Sequence, residues 1–92
     1  MKFEYSETKR ELKVYPTKVD EQLTIQFHSE VENAINLLFI DYNGRIVLTR
    51  KQHLYKGQNT FRIDGLGALE KGTYIVLAKN ENQTAYQKII KQ

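Results

Sequence analysis

Two histidines, no cysteine and a scatter of carboxylates are the raw material for chemistry in this chain. Nucleophilic catalysis needs an activated side chain beside a base. With no thiol in the sequence, His28 and His53 are the bases on offer. His28 closes an alternating run on its polar side and His53 reads as a loop residue, so both are expected at the surface. A zinc site wants three or four converging His, Cys or carboxylate ligands, and no close spacing supplies them. Asp20-Glu21, Glu30 and Glu32 offer oxygen ligands for a weak calcium ion but lack the dense Asp/Asn/Gly pattern of a calcium loop. Gly65-Leu66-Gly67 opens no βα unit, so it cannot cradle a phosphate as a dinucleotide fingerprint does. Asn82-Gln83-Thr84 fits the glycosylation sequon, a pattern frequent by chance. The six tyrosines could form a platform that stacks on sugar rings, yet Tyr15, Tyr42 and Tyr74 suit core or rim positions in a sheet. The expectation is a chain with no catalytic residue, no cofactor and no metal.

The elements that must position these residues are strands. Ala34 to Thr49 holds two apolar runs around Asp41-Tyr42-Asn43-Gly44, and Asn-Gly between strand-like runs is a strong hairpin signal. Ile35, Leu37 and Phe39 share one face before the turn, and Ile46 and Leu48 share one after it. Leu12 to Tyr15 is a short strand stopped by Pro16, which lacks the amide donor a ladder needs. Gln22 to His28 alternates cleanly, with Leu23, Ile25 and Phe27 on one side. Ser29-Glu30-Val31-Glu32 matches a capping box, but Ile35 already starts the next strand, so no helix has room. Thr60 to Asp64 is a strand with Phe61 and Ile63 inward, and Leu66 and Leu69 suit a single helical turn plugging one end of the core. Thr73 to Lys79 and Thr84 to Lys91 complete the set. About seven short strands at this spacing predict an all-β, immunoglobulin-like antiparallel sandwich. Residues 1–11 read as a tail or linker, with Phe3 and Tyr5 able to add an edge strand, and residues 12–92 as the domain.

Composition narrows the partners. The chain has 92 residues and a formal charge of +3 from fourteen cations, ten of them lysines. Lysine is more often a solvated surface residue than a bidentate phosphate reader. The cations form no stripe with aromatic platforms, so nucleic acid is not an expected partner. Apolar runs such as Leu37 to Ile40 fall far short of the roughly 20 residues a bilayer span requires. Met1-Lys2 leads into charged residues without an apolar core, so a signal for export is expected to lie outside this sequence.

Several segments, taken in order, resemble the C-terminal sorting domain of the type IX secretion system of Bacteroidetes. Val14-Tyr15-Pro16 followed by Leu23-Thr24-Ile25 is similar to the family opening, VYPNP and then LxI. Asp41 to Val47 resembles its D-x-x-G-[RK]-x-V hairpin, with Asp41, Gly44 and Arg45 at the motif positions. Gly57-Gln58-Asn59 is similar to its G-x-N strand start. Leu69 to Val76 resembles L-x-x-G-x-Y-x-V through Gly72 and Tyr74, and Lys88-Ile89-Ile90-Lys91 resembles the terminal K-[IVL]-[IVL]-K. The family's second Asn-Pro is replaced by Thr17-Lys18.

The resemblance implies a non-enzymatic module at the end of a covalently linked cargo. That cargo crosses the periplasm and is delivered to the outer-membrane surface or the medium. The implied partners are the secretion machinery and its outer-membrane processing protease. Lys88, Ile89, Ile90, Lys91 and Gln92 are the residues expected to meet the machinery, with an edge strand adding to a partner sheet as one mode. An exposed edge also makes a homodimer an expectation. The alternative reading is an immunoglobulin-like accessory domain that binds glycan or protein at the bacterial surface, because the fold alone does not specify function.

Overall fold

The computed structural model describes residues 12–81 and 83–92. The tail or linker read at residues 1–11 lies outside the described residues, as does Asn82 of the sequon. Eight strands run in chain order: β1 (Lys13–Tyr15), β2 (Lys18–Val19), β3 (Leu23–Ser29), β4 (Asn33–Ile40), β5 (Ile46–Leu54), β6 (Gly57–Ile63), β7 (Gly72–Lys79) and β8 (Thr84–Lys91). A 3₁₀ turn, Leu66–Ala68, sits between β6 and β7. They form a small sheet in the order β1-β3-β6 and a large sheet in the order β2-β8-β7-β4-β5. Neighbours are antiparallel except β2, which runs parallel to β8. The architecture is the immunoglobulin-like sandwich that the sequence predicts.

The period of two decides which side chains meet between the sheets. Leu23, Ile25 and Phe27 of β3 are buried and face Ile35, Leu37 and Phe39 of β4 together with Tyr74, Val76 and Ala78 of β7. Ala85 and Ile89 of β8 and Leu54 at the end of β5 close the same cluster. Full burial of each such Leu, Ile or Phe is worth about 1.5–3 kcal/mol. Leu66, fully buried in its 3₁₀ turn, plugs the bottom of the core, and its N–H donates to the Glu21 carbonyl at 2.9 Å.

Three sequence-based expectations change. His53 is not in a loop: β5 continues through Arg50-Lys51-Gln52-His53 to Leu54, and charged residues at a sheet edge conceal its alternation. β6 starts at Gly57, three residues before Thr60. An eighth strand exists, the two-residue β2. The chain between β3 and β4 makes no helix, as expected, and the Ser29 hydroxyl donates to the Val31 carbonyl at 2.7 Å.

Candidate functional site

Each motif in the sequence folds into a local device. At the β4–β5 hairpin the Gly44 N–H donates to the Asp41 carbonyl at 2.9 Å and the Asp41 N–H to the Arg45 carbonyl at 2.8 Å. The Asp41 carboxylate then accepts the N–H groups of Asn43 and Arg45, each at 2.9 Å, and Arg45 Nε at 3.2 Å. Gly44 has φ +87°, which side chains resist. Arg45's backbone N–H holds the Asp41 carboxyl below its ordinary 3.8. Partial desolvation opposes this, while the Asn43 N–H and the Arg45 charge add to the lowering.

Before β7 the Tyr74 hydroxyl donates to the Glu70 carbonyl at 2.6 Å, a tyrosine corner in hydrogen-bonding logic. Burial pushes the Tyr74 phenol above its ordinary 10.0, helped by the charges of Glu70 and Asp41. Gly72, with φ +149°, makes the bend between them. The hairpin and the corner border one cleft of about 370 Å³ through Asp41, Arg45, Glu70 and Tyr74.

Asn59 is the third device. Its Oδ1 accepts the Tyr55 N–H at 2.9 Å, and its Nδ2 donates to the carbonyls of Tyr55, Gly57 and Phe27 at 2.9, 3.1 and 3.3 Å. One buried amide thereby ties the β5–β6 turn to β3.

The opening and closing motifs come together. After the cis Tyr15–Pro16 bond the chain lies beside β8, where the Ile90 N–H donates to the Thr17 carbonyl at 2.8 Å and the Gln92 N–H to the Val19 carbonyl at 2.9 Å. Within the predicted recognition segment, Ile89 is in the core and Lys91 is 8% exposed, with its ammonium 3.0 Å from the Gln92 carbonyl. Lys88 and Ile90 point outward and are exposed. Lys91 and Gln92 join Pro16, Lys18, Asp20 and Glu21 around an open, polar cleft of about 820 Å³.

The last strand is therefore not a free edge at its end. β2 covers Ile90 and Lys91. Backbone groups alternate sides along a strand. The Ile90 N–H points away from β7, so the groups of Lys88, Tyr86 and Thr84 share that outer side, beyond the reach of β2. Among the described residues no strand pairs with the outer side of β8 from Thr84 to Lys88, and Lys88 alone of the predicted segment lies there.

The Asp41 turn, the Asn59 bridge, the Tyr74 corner and the joined ends occur in the order of a known family. A model of the secretion system C-terminal sorting domain matches residues 13–92. The chain belongs to the type IX secretion C-terminal sorting domain family. This sorting domain is the C-terminal signal of type IX secretion cargo, and it directs export to the cell surface or medium. A search of curated proteins returned no match.

The sorting domain's remaining candidate groups are placed as follows. His28 lies 3.2 Å from Glu30 and His53 lies 2.8 Å from Glu32, both as exposed pairs. Among the described residues no three His or carboxylate groups gather as metal ligands. Tyr74 is buried and Tyr42 is 88% exposed, so these rings do not make one sugar platform. The buried amide of Asn59 and the largely buried side chain of Lys91 escape sequence reasoning, since polar residues ordinarily predict exposure. The signal for Asn59 was its place just after a turn glycine.

Proposed function

We propose that the machinery reads this sorting domain folded, through Lys88 to Gln92 at the end of β8, once the cargo has reached the periplasm. One observation carries the proposal: Lys88 and Ile90 present their side chains outward while Ile89 and Lys91 lock the same segment into the sandwich. A partner strand can add along the outer backbone of Thr84, Tyr86 and Lys88, displacing the Gln87 amide that donates to the Lys88 carbonyl at 3.0 Å, in the manner of β-augmentation. The domain supplies no catalysis of its own, and the processing protease acts on the cargo junction.

The test fuses the domain to a fluorescent protein with an N-terminal export signal, in a type IX-competent strain and in one lacking the outer-membrane translocon. Release or surface display in the first strain alone is the expected result. Deleting residues 88–92 removes core as well as surface, so the decisive variant is Lys88→Glu with Ile90→Ser, which spares Ile89 and Lys91. Periplasmic retention of that folded variant supports the terminal segment as the recognised part. Its normal secretion contradicts it.

A further inference from the structure

The outer face of the large sheet is built unlike a solvated surface. Where one face of an antiparallel sheet meets water, the outward positions are ordinarily polar. Here Leu38 of β4 stands in register with Leu77 of β7, and Leu77 with Tyr86 of β8. One row below, Ile40 pairs with Ile75 and Ile75 with Lys88, and in the row after that Ile90 lies beside Thr73. Neighbouring strands are about 4.8 Å apart, so Leu38, Leu77, Tyr86, Ile40 and Ile75 form a contiguous apolar strip, with Lys88 at the end of its second row. Tyr86 is 61% exposed and Ile90 42%. Contiguous apolar patches rimmed by polar groups mark interaction sites.

The outward charges on these strands have one sign. Lys51, Lys79 and Lys88 occupy outward positions around the strip, and the outward positions of β4, β5, β7 and β8 hold no Asp or Glu. None of these lysines makes an ion pair among the described residues, while Glu32, in the turn before β4, is held by His53 at 2.8 Å. A second copy laid on this face would bring lysines against lysines. A protein surface with an apolar centre and a carboxylate border is complementary in both respects.

We propose that the outer face of the large sheet docks a protein partner presenting an apolar patch bordered by Asp and Glu. The proposal rests on the sorting reading and names where the folded signal is held: Leu38, Leu77 and Tyr86 supply the contact, and Lys51 and Lys79 set its orientation. It reaches across the sheet to strands that the terminal segment does not contain.

The test uses the same fluorescent fusion with two sets of changes that avoid residues 88–92. Leu38→Thr, Leu77→Thr and Tyr86→Thr keep β-propensity but remove the strip, and Lys51→Glu with Lys79→Glu reverse the rim. Thermal melts of the purified domains establish that each set is folded. With the unaltered fusion secreted, each set should lower the exported fraction about tenfold or more, the loss expected on truncating central contact residues. Normal export of both folded sets overturns the proposal while leaving the sorting reading intact. Failure of the unaltered fusion to be exported strikes that reading instead. Two further measurements separate the occupants: sedimentation of the unaltered domain should show a monomer, and flotation with anionic vesicles should show no binding. A dimer abolished by the three threonines, or vesicle binding abolished by the two glutamates, assigns the face to a second copy or to a membrane and overturns the protein partner.

Discussion

The two outward faces of this sandwich have the same geometry and opposite chemistry. On the small sheet, Lys13 stands beside Gln26 and Gln26 beside Thr60, Thr24 stands beside Arg62, and His28 beside Gln58. Tyr15 is the single large apolar side chain among these outward positions. On the large sheet the corresponding rows are Leu38-Leu77-Tyr86 and Ile40-Ile75-Lys88. Both sheets bury their inner faces in one core, so packing does not demand the second apolar face. What distinguishes the two is therefore not folding but contact with something outside the domain. The small sheet is finished as a solvated wall, and the large sheet is finished as an interface.

That comparison is broken if the outer residues of the large sheet turn out to be structural. Phe39 and Ile40 are adjacent in β4 and face opposite ways. Phe39→Ala should cost about 4 kcal/mol in denaturant unfolding, as for a filled core site. Ile40→Thr should cost much less. Equal losses would mean that the outer strip belongs to the stability of the domain. Next in size is Asn59→Ala, which strands the Tyr55 amide and three carbonyls. It should lower stability by about 3 kcal/mol, read by the same unfolding experiment. Its effect on export should then follow the fraction unfolded and nothing else, because Asn59 touches neither outer face.

Tyr74→Phe deletes one short hydrogen bond and little volume, so about 1 kcal/mol should be lost in thermal unfolding, with export unchanged. Asp41→Asn tests the hairpin through pH. Asp41 has its folded pKa below the ordinary 3.8, so its contribution is present above that value and disappears as pH falls through the folded pKa. Below about pH 4 the unaltered domain should lose stability more steeply than Asp41→Asn. Parallel acid profiles would remove the carboxylate from the hairpin's account.

Much of this was legible in the sequence, for definite reasons. Leu23-Thr24-Ile25-Gln26-Phe27 alternates because one side meets the core and the other meets water, and its strand and its buried face could be assigned directly. Asp41 to Gly44 announced the hairpin through its turn chemistry. The interface was written less openly. Leu37 to Ile40 and Tyr74 to Leu77 are apolar without a break, the pattern of strands covered on both faces, and nothing in either segment says what covers the second one.

β2 lay beyond local reasoning, since two residues have no period and its partner is at the far end of the chain. For the same reason Lys88 to Lys91 read as a free terminal edge, whereas Thr17 and Val19 accept the backbone N–H groups of Ile90 and Gln92. Lysine at position 91 signalled water, yet its stem lies in the sandwich and its ammonium is satisfied by the next carbonyl.

The most direct test sets one face against the other in the same cargo fusion. One variant carries Leu38→Thr, Leu77→Thr and Tyr86→Thr, and the other carries Gln26→Thr, Gln58→Thr and Arg62→Thr on the small sheet. With both domains shown folded, the exported fraction in a type IX-competent strain is the readout. The account predicts that the first variant stays in the periplasm and the second is exported like the unaltered domain. Equal export of the two, or retention of the small-sheet variant alone, would contradict it.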